Sequence, residues 1–217
     1  MIYSKGKVLF GLHLAKNEIV KQDECFLVEG NMDVVMMSQN AVTNVVATSG
    51  TALTEDQIRL IKRYTKNVTL LYDGDSAGIK ATFKAVNLLL EQGLHVKTLL
   101  FPDNEDPDSF ARKHTQDEFK DFIKTNAQNF IIYKTNLLLA EAQNDPIKRA
   151  DLTRDIIETI ALIPDLLERN AYLQQCSKLL NVKEEILSSE LAKILKNKTT
   201  KEAFKQENIQ QTYSKSR

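Results

Sequence analysis

The sequence predicts an α/β domain built on a mostly parallel sheet, followed by an all-α region. Strand-like runs alternate with helical patterns up to about residue 101, which means βαβ units. All seven glycines fall at or before Gly93, and the glycine-free second half reads as helix after helix. Three acidic clusters sit where three of the strands end. In an open parallel sheet, the carboxyl ends of the strands share one edge, and ligands bind there.

The elements follow in order. Segment 1–20 reads as an extended lead-in and a short amphipathic helix. The α/β region, 21–115, reads as strand 25–29, helix 31–39, strand 44–48, helix 55–65, strand 68–72, helix 76–92 and strand 95–101. Thr54 with Gln57 forms a capping box at the start of helix 55–65. Gly93 stands where a helix-ending glycine belongs. A helical subdomain is expected over 116–195. Thr115 with Glu118 caps its first helix, Asp145-Pro146 opens another, Asp165 restarts the chain after Pro164, and Asn181 with Glu184 resembles a further capping box. Apolar residues recur at three- and four-residue spacing through 119–195, giving each helix a core face. The polar segment 196–217 reads as frayed helix or a flexible linker.

Composition narrows the class. The 217 residues are 42% hydrophobic and 27% charged, a globular balance, and 29 basic residues offset 29 acidic ones. An overall positive field is therefore excluded, so tight contact with nucleic acid needs a local patch or a further segment. No apolar stretch is long enough to span a bilayer, and no secretory leader is visible, so a cytoplasmic protein is expected. Cys25 and Cys176 read as reduced, buried thiols. His13, His95 and His114 lack metal-ligand spacing, so no zinc is expected.

The acidic clusters carry the chemistry. Glu29 ends the run Phe26-Leu27-Val28, with Gly30 allowing a sharp turn and Asp33 just beyond. Asp73-Gly74-Asp75 ends Val68–Tyr72. Asp103, Glu105, Asp106 and Asp108 follow the strand ending at Phe101. Carboxylates about 4 Å apart repel by about 1 kcal/mol in water and about 4 kcal/mol at an effective dielectric near 20, so a cation is needed to offset them. Mg²⁺ suits such hard oxygen ligands. Asp33 and Asp108 also suit helix first turns, and Asp-Gly is common in plain turns. Small hydroxyls and backbone N–H groups over Thr48-Ser49-Gly50-Thr51 suit a phosphate, as they suit an ordinary loop. Lys5 and Lys7 could touch phosphates or remain solvated.

Taken together, YSKGKVLFGL, VEGNMDVV, VVATSGTALTEDQIRLIKRY, VTLLYDGDSAGIKA and LLFPDNEDPDSFARK resemble, in order, successive blocks of bacterial replicative DNA primases of the DnaG type. ERNAYLQQCSKLL resembles their following helical subdomain. The strand-end Glu followed by a strand-end Asp-x-Asp is the signature of their topoisomerase–primase (Toprim) domain. The resemblance covers about residues 2–185. It implies a Rossmann-like Toprim fold followed by a helical bundle. It also implies a DNA-directed RNA polymerase that makes short RNA primers on single-stranded DNA from ribonucleoside triphosphates. Glu29 would be the central carboxylate, and Asp73 and Asp75 direct ligands of Mg²⁺ or Mn²⁺. Asp33, Asp106 and Asp108 would complete a two-ion centre, with Lys5, Lys7 and Ser49 toward nucleotide or nucleic acid. Asn31 stands where these primases usually carry Tyr. The resemblance further implies a zinc-binding domain and a basic subdomain upstream, and a helicase-docking domain downstream, all outside this chain. The fragment alone is then expected to be inactive or very weak. Two other readings use the same fold: a Toprim enzyme that cleaves nucleic acid, and a Toprim scaffold without turnover.

Overall fold

The computed structural model describes residues 5–72, 76–102, 105–143 and 145–215, with side chains except those of 72–82, 199 and 201–215. Five strands form one sheet: β1 Cys25–Val28, β2 Val45–Ala47, β3 Asn67–Tyr72, β4 His95–Leu100 and β5 Gln128–Asn129. Their spatial order is β2-β1-β3-β4-β5. The first four are parallel, with Phe26 opposite Val45, Leu27 opposite Leu70 and Val68 opposite Val96. Only β5 is antiparallel, pairing Thr98 with Gln128. All four residues of β1 are buried, as expected for a central parallel strand covered on both faces.

The crossover helices lie where periodicity places them: α1 Leu12–Gln22, α2 Asn31–Gln39, α3 Glu55–Lys62, α4 Ser76–Glu91, α5 Pro107–Lys113 and α6 Gln116–Asn126. The lead-in does more than connect. A 3₁₀ turn covers Lys5–Lys7, and Phe10 then exchanges two backbone hydrogen bonds with Ala47, at 3.0 and 3.1 Å. Gly11 turns the chain into α1 at φ 81°, and a Cβ there would meet the Val45 carbonyl at 3.1 Å.

Thr54 caps α3 as its sequence predicts. Its hydroxyl oxygen accepts from the Gln57 N–H at 3.2 Å, and Gln57 Oε1 accepts from the Thr54 N–H at 3.1 Å. The structure adds a second role for both residues. The Thr54 hydroxyl donates to the Gly6 carbonyl at 2.6 Å, and the fully buried Gln57 amide donates to the carbonyls of Lys5 and Val8. These bonds fasten the lead-in to the start of α3. Gln57→Leu leaves two carbonyls without their donor, so a loss of about 1–3 kcal/mol is expected in a denaturant titration. An unchanged midpoint would mean that solvent replaces both bonds at no cost.

Two compact units divide between Tyr133 and Lys134, within α7 (Phe130–Ala142). The sequence expectation drew its boundary at 115/116. In the structure α6 contributes Phe119 and Ile123 to the same buried cluster as Phe26, Val28, Leu99 and Phe101. β5, too short to be read from sequence, pairs with β4.

In the second unit, α8 Pro146–Ile160, α9 Leu166–Leu180 and α10 Glu184–Lys215 pack mutually. Asp145 and Asp165 cap α8 and α9 as expected. Asn181 does not start the next helix. It ends α9 in the left-handed region, φ 54°, with its N–H donating to the Ser177 carbonyl. Asn serves at either end of a helix, and the close spacing of two helices hid which end it held. Buried Lys134 donates to Asp155 at 2.9 Å and to the Thr159 hydroxyl at 2.8 Å. Residues 196–215, expected as frayed helix or linker, continue α10.

Candidate acidic centre at the carboxyl edge of the sheet

The strand order puts β1, β3 and β4 side by side, so the segments that follow them leave the sheet at one edge. Leu27 is level with Leu70, and the same offset sets Glu29 level with Tyr72, the residue before Asp73. Asp73 and Asp75 themselves lie outside the described residues. Glu29 is exposed at the end of a buried strand.

Its backbone is fixed by the β2–α3 loop. Thr48 N–H donates to the Val28 carbonyl and Gly50 N–H to the Glu29 carbonyl, both at 3.3 Å. Ser49 and Gly50 both take positive φ, 61° and 72°, which lets the loop fold over the strand end. The Ser49 hydroxyl donates to Asn31 Oδ1 at 2.8 Å. Asn31, the departure from the primase pattern, thus joins the first turn of α2 to this loop. The Ser49 side chain, expected toward nucleotide, is engaged in that bond. Glu29, Thr48, Gly50, Thr51 and Lys84 line a hollow of about 330 Å³. Lys84, from α4, brings a cation to the rim that sequence reading missed, because nothing local marks it.

Gly30 differs from its expected role. Its φ is −100°, extended backbone open to any residue, so the turn does not need a glycine. The atom nearest to an added Cβ is the side-chain Oδ2 of Asp33, which accepts from the Gly30 N–H at 3.0 Å and would lie 2.9 Å from that Cβ, so a substitution would shift this carboxylate.

Asp106 and Asp108 sit on α5, which packs beside α2. Asp106 caps α5 by accepting from the Ser109 N–H at 2.6 Å. Asp108 takes two bonds from the Arg112 guanidinium, at 3.1 and 2.8 Å, and Lys113 pairs with Glu105. Protein donors thus already compensate much of this third cluster. The Ser109 backbone N–H, aided by its hydroxyl, holds the Asp106 carboxyl below its usual range against the opposing effect of burial. A lowered folded pKa adds stability above the unfolded value, about 3.9, and that stability is lost as pH falls through the folded value. Asp106→Ala should cost about 1 kcal/mol at neutral pH, with the gap to the parent narrowing in acid. A gap independent of pH in thermal melts would assign the capping energy to something other than the carboxylate.

The Lys5–Lys7 turn is tied to the start of α3 and both lysines are exposed. Burial pushes the thiols of Cys25 and Cys176 up, consistent with inert, reduced cysteines.

Among the described residues, no three His, Cys, Asp or Glu side chains are grouped closely enough to hold a metal. The donor chemistry at this edge nevertheless fits a hard divalent cation: Glu29 offers carboxylate oxygens at an exposed rim, and Asp73 and Asp75 follow the adjacent strand directly. Asp33, Asp106 and Asp108 each already serve a backbone or side-chain donor through at least one oxygen.

The comparisons with known proteins agree with this geometry. Residues 26–111 match the Toprim-like family model, and residues 138–185 match the model described as the DnaB-helicase binding domain of primase. A DNA primase of Staphylococcus aureus is 35% identical over 190 residues, covering 88% of this chain and 32% of the relative. A DNA primase domain from Pseudomonas aeruginosa superposes with a TM-score of 0.77 at 31% identity, covering 88% of this chain and 61% of that one. Over most of its own length the chain is similar to DnaG-type primases. A DnaG primase catalytic domain solved bound to single-stranded DNA matches with a TM-score of 0.75 at 30% identity, over 85% of this chain and 59% of its own. The chain spans about a third of the length of the curated primases it matches. Helicase docking is expected through a domain outside this chain; the helicase-binding family model matches 138–185, from α7 to the first residues of α10. That span has no Gly and no distinctive chemistry, so periodicity alone reads it as a plain bundle. No described helix is long and apolar enough to cross a membrane.

Proposed function

We propose that this chain is the Toprim and helical part of a DNA primase catalytic core, acting in template-directed synthesis of RNA primers during replication. The observation that carries the reading is the carboxyl edge of the sheet, where Glu29 ends β1 beside β3, and β3 leads directly into Asp73 and Asp75. The match to primase catalytic structures over most of this chain supports it.

In this reading Glu29, Asp73 and Asp75 hold Mg²⁺ or Mn²⁺, two ions in all, with Asp33, Asp106 and Asp108 supporting the set. Such ions, when bound, stabilise the attacking and leaving oxygens of an in-line phosphoryl displacement. The chain's own task is placement. The β2–α3 loop fixes the Glu29 backbone, and Lys84 offers positive charge on the same hollow for phosphate. Lys5 and Lys7 lie toward nucleic acid or nucleotide. Template pairing selects the base, so no base-reading residue is required. The partners are single-stranded DNA, ribonucleoside triphosphates, the RNA primer and a DnaB-type helicase, and the location is the cytoplasm.

The test has two parts. Thermal unfolding is followed with and without Mg²⁺ or Mn²⁺ for the parent and for Asp73→Asn/Asp75→Asn. At a hundred times its dissociation constant, metal stabilises the parent by about 2.7 kcal/mol, and the double variant loses the shift. Ribonucleotide incorporation on a single-stranded template is then measured for this chain alone, where little is expected. It is repeated with the chain joined to the remaining catalytic-domain segment of a relative. Strand cleavage instead of incorporation would overturn the reading.

A further inference from the structure

The opposite, amino-terminal edge of the same sheet holds a second hollow, of about 580 Å³, lined in part by Glu24, Asn44, Lys97, Lys120, Ile123 and Lys124. We propose that it binds a small phosphate-bearing ligand of the nucleotide class, separately from the acidic edge.

Three features of the lining carry this. The first is unbalanced charge. Lys120 and Lys124 lie one turn apart on α6, where like charges destabilise a helix, and neither has a partner among the described residues. Lys97 adds a third ammonium, 3.7 Å from Glu24. The acids of the hollow are already engaged: Glu18 by Lys21 and Gln22, Glu24 by the Thr69 hydroxyl at 2.7 Å. An anion therefore completes the set.

The second is a buried acceptor without a donor. Asn44 is 1% exposed. Its Nδ2 donates to the Glu24 carbonyl at 2.9 Å, which fixes the amide, while its Oδ1 has no donor among the described residues. A buried polar atom left so is costly. With under 1 Å² of that oxygen accessible, a ligand hydroxyl or amino group reaches it only by shifting the side chains around it. A nucleotide carries such donors and its negative charge on one frame.

The third is shape. The floor is apolar, from Phe26, Val42 and Ile123, and the volume falls in the range of small-molecule sites, about 300–1,000 Å³. An extended nucleic-acid backbone would gain nothing from this enclosed floor and would meet Glu18 and Glu24. The four residues of β1 separate Glu24 from Glu29, five steps or about 16 Å of extended chain, so one mononucleotide does not reach both edges.

Binding of guanosine monophosphate and of inorganic phosphate to this chain is measured by calorimetry and methyl NMR in EDTA, which silences the metal-dependent edge. The nucleotide is expected to bind with a dissociation constant of about 1 mM or below, shifting the methyls of Val42 and Ile123. Lys120→Ala/Lys124→Ala removes two exposed, unpartnered side chains without threatening the fold, and weakens binding about tenfold or more. Glu29→Gln leaves it unchanged, so loss of the primase reading and loss of this site are distinguishable. The proposal fails if no nucleotide binds, if the double lysine variant binds like the parent, or if Glu29→Gln abolishes binding. It fails equally if inorganic phosphate binds as tightly as the nucleotide.

Discussion

Glu29→Gln lowers ribonucleotide incorporation by about 10²–10³-fold in the joined catalytic domain, the scale on which removal of one preorganised electrostatic group acts. The substitution keeps shape and hydrogen-bonding reach but removes the charge that a hard cation requires. The fold tolerates it. Glu29 is exposed, and the Gly50 N–H holds its backbone carbonyl, which the substitution leaves in place. Melting in EDTA should therefore stay close to the parent. Loss of incorporation together with retained stability identifies a residue that works on metal and substrate. Equal losses of both would make Glu29 structural, and normal incorporation would remove it from the centre. Asp73→Asn and Asp75→Asn are expected to behave alike, whereas Asp108→Asn, whose carboxylate is already held by Arg112, should cost less.

Phe119→Ala destabilises the first unit by about 3–5 kcal/mol, the range for truncating a buried aromatic side chain. Phe119 is fully buried, with its ring centre 6.4 Å from that of Phe101 and 6.2 Å from that of Phe110. Phe101 and Phe110 are themselves 5.3 Å apart. Phe101 follows β4, and Phe110 lies on α5 beside the acidic turn, so one ring of α6 supports two elements that frame the carboxyl edge. The cost should appear as a lowered denaturant midpoint with an unchanged slope. Loss of helix signal alone, with the sheet unfolding at its former midpoint, would show instead that α6 belongs with the bundle, where the sequence boundary at 115/116 placed it.

The local signals that proved readable are those with a mechanism confined to a few residues. The Thr54–Gln57 box, the Asp145-Pro146 start and the glycine after α4 each satisfy backbone groups within one turn. Asn181 misled because the same side chain suits both helix ends, and only the packing of α9 against α10 decides. At Gly30 the expected sharp turn is absent, since φ is −100°, and the crowding there comes from the movable carboxylate of Asp33 three residues on.

The sequence by itself determined the alternation of strands and helices, the acidic residues at the strand ends and the helical second half, because each rests on periodicity or on short-range hydrogen bonding. Tertiary structure alone decided the order β2-β1-β3-β4-β5, which makes β1 and β3 neighbours and sets Glu29 level with the end of β3. It also decided the attachment of α6 and β5 to the sheet, the grip of Gln57 on the lead-in and the meeting of Lys84 with Glu29 around one hollow. Those pairings join residues tens of positions apart. They follow from burial of shared apolar surface, which no local pattern encodes.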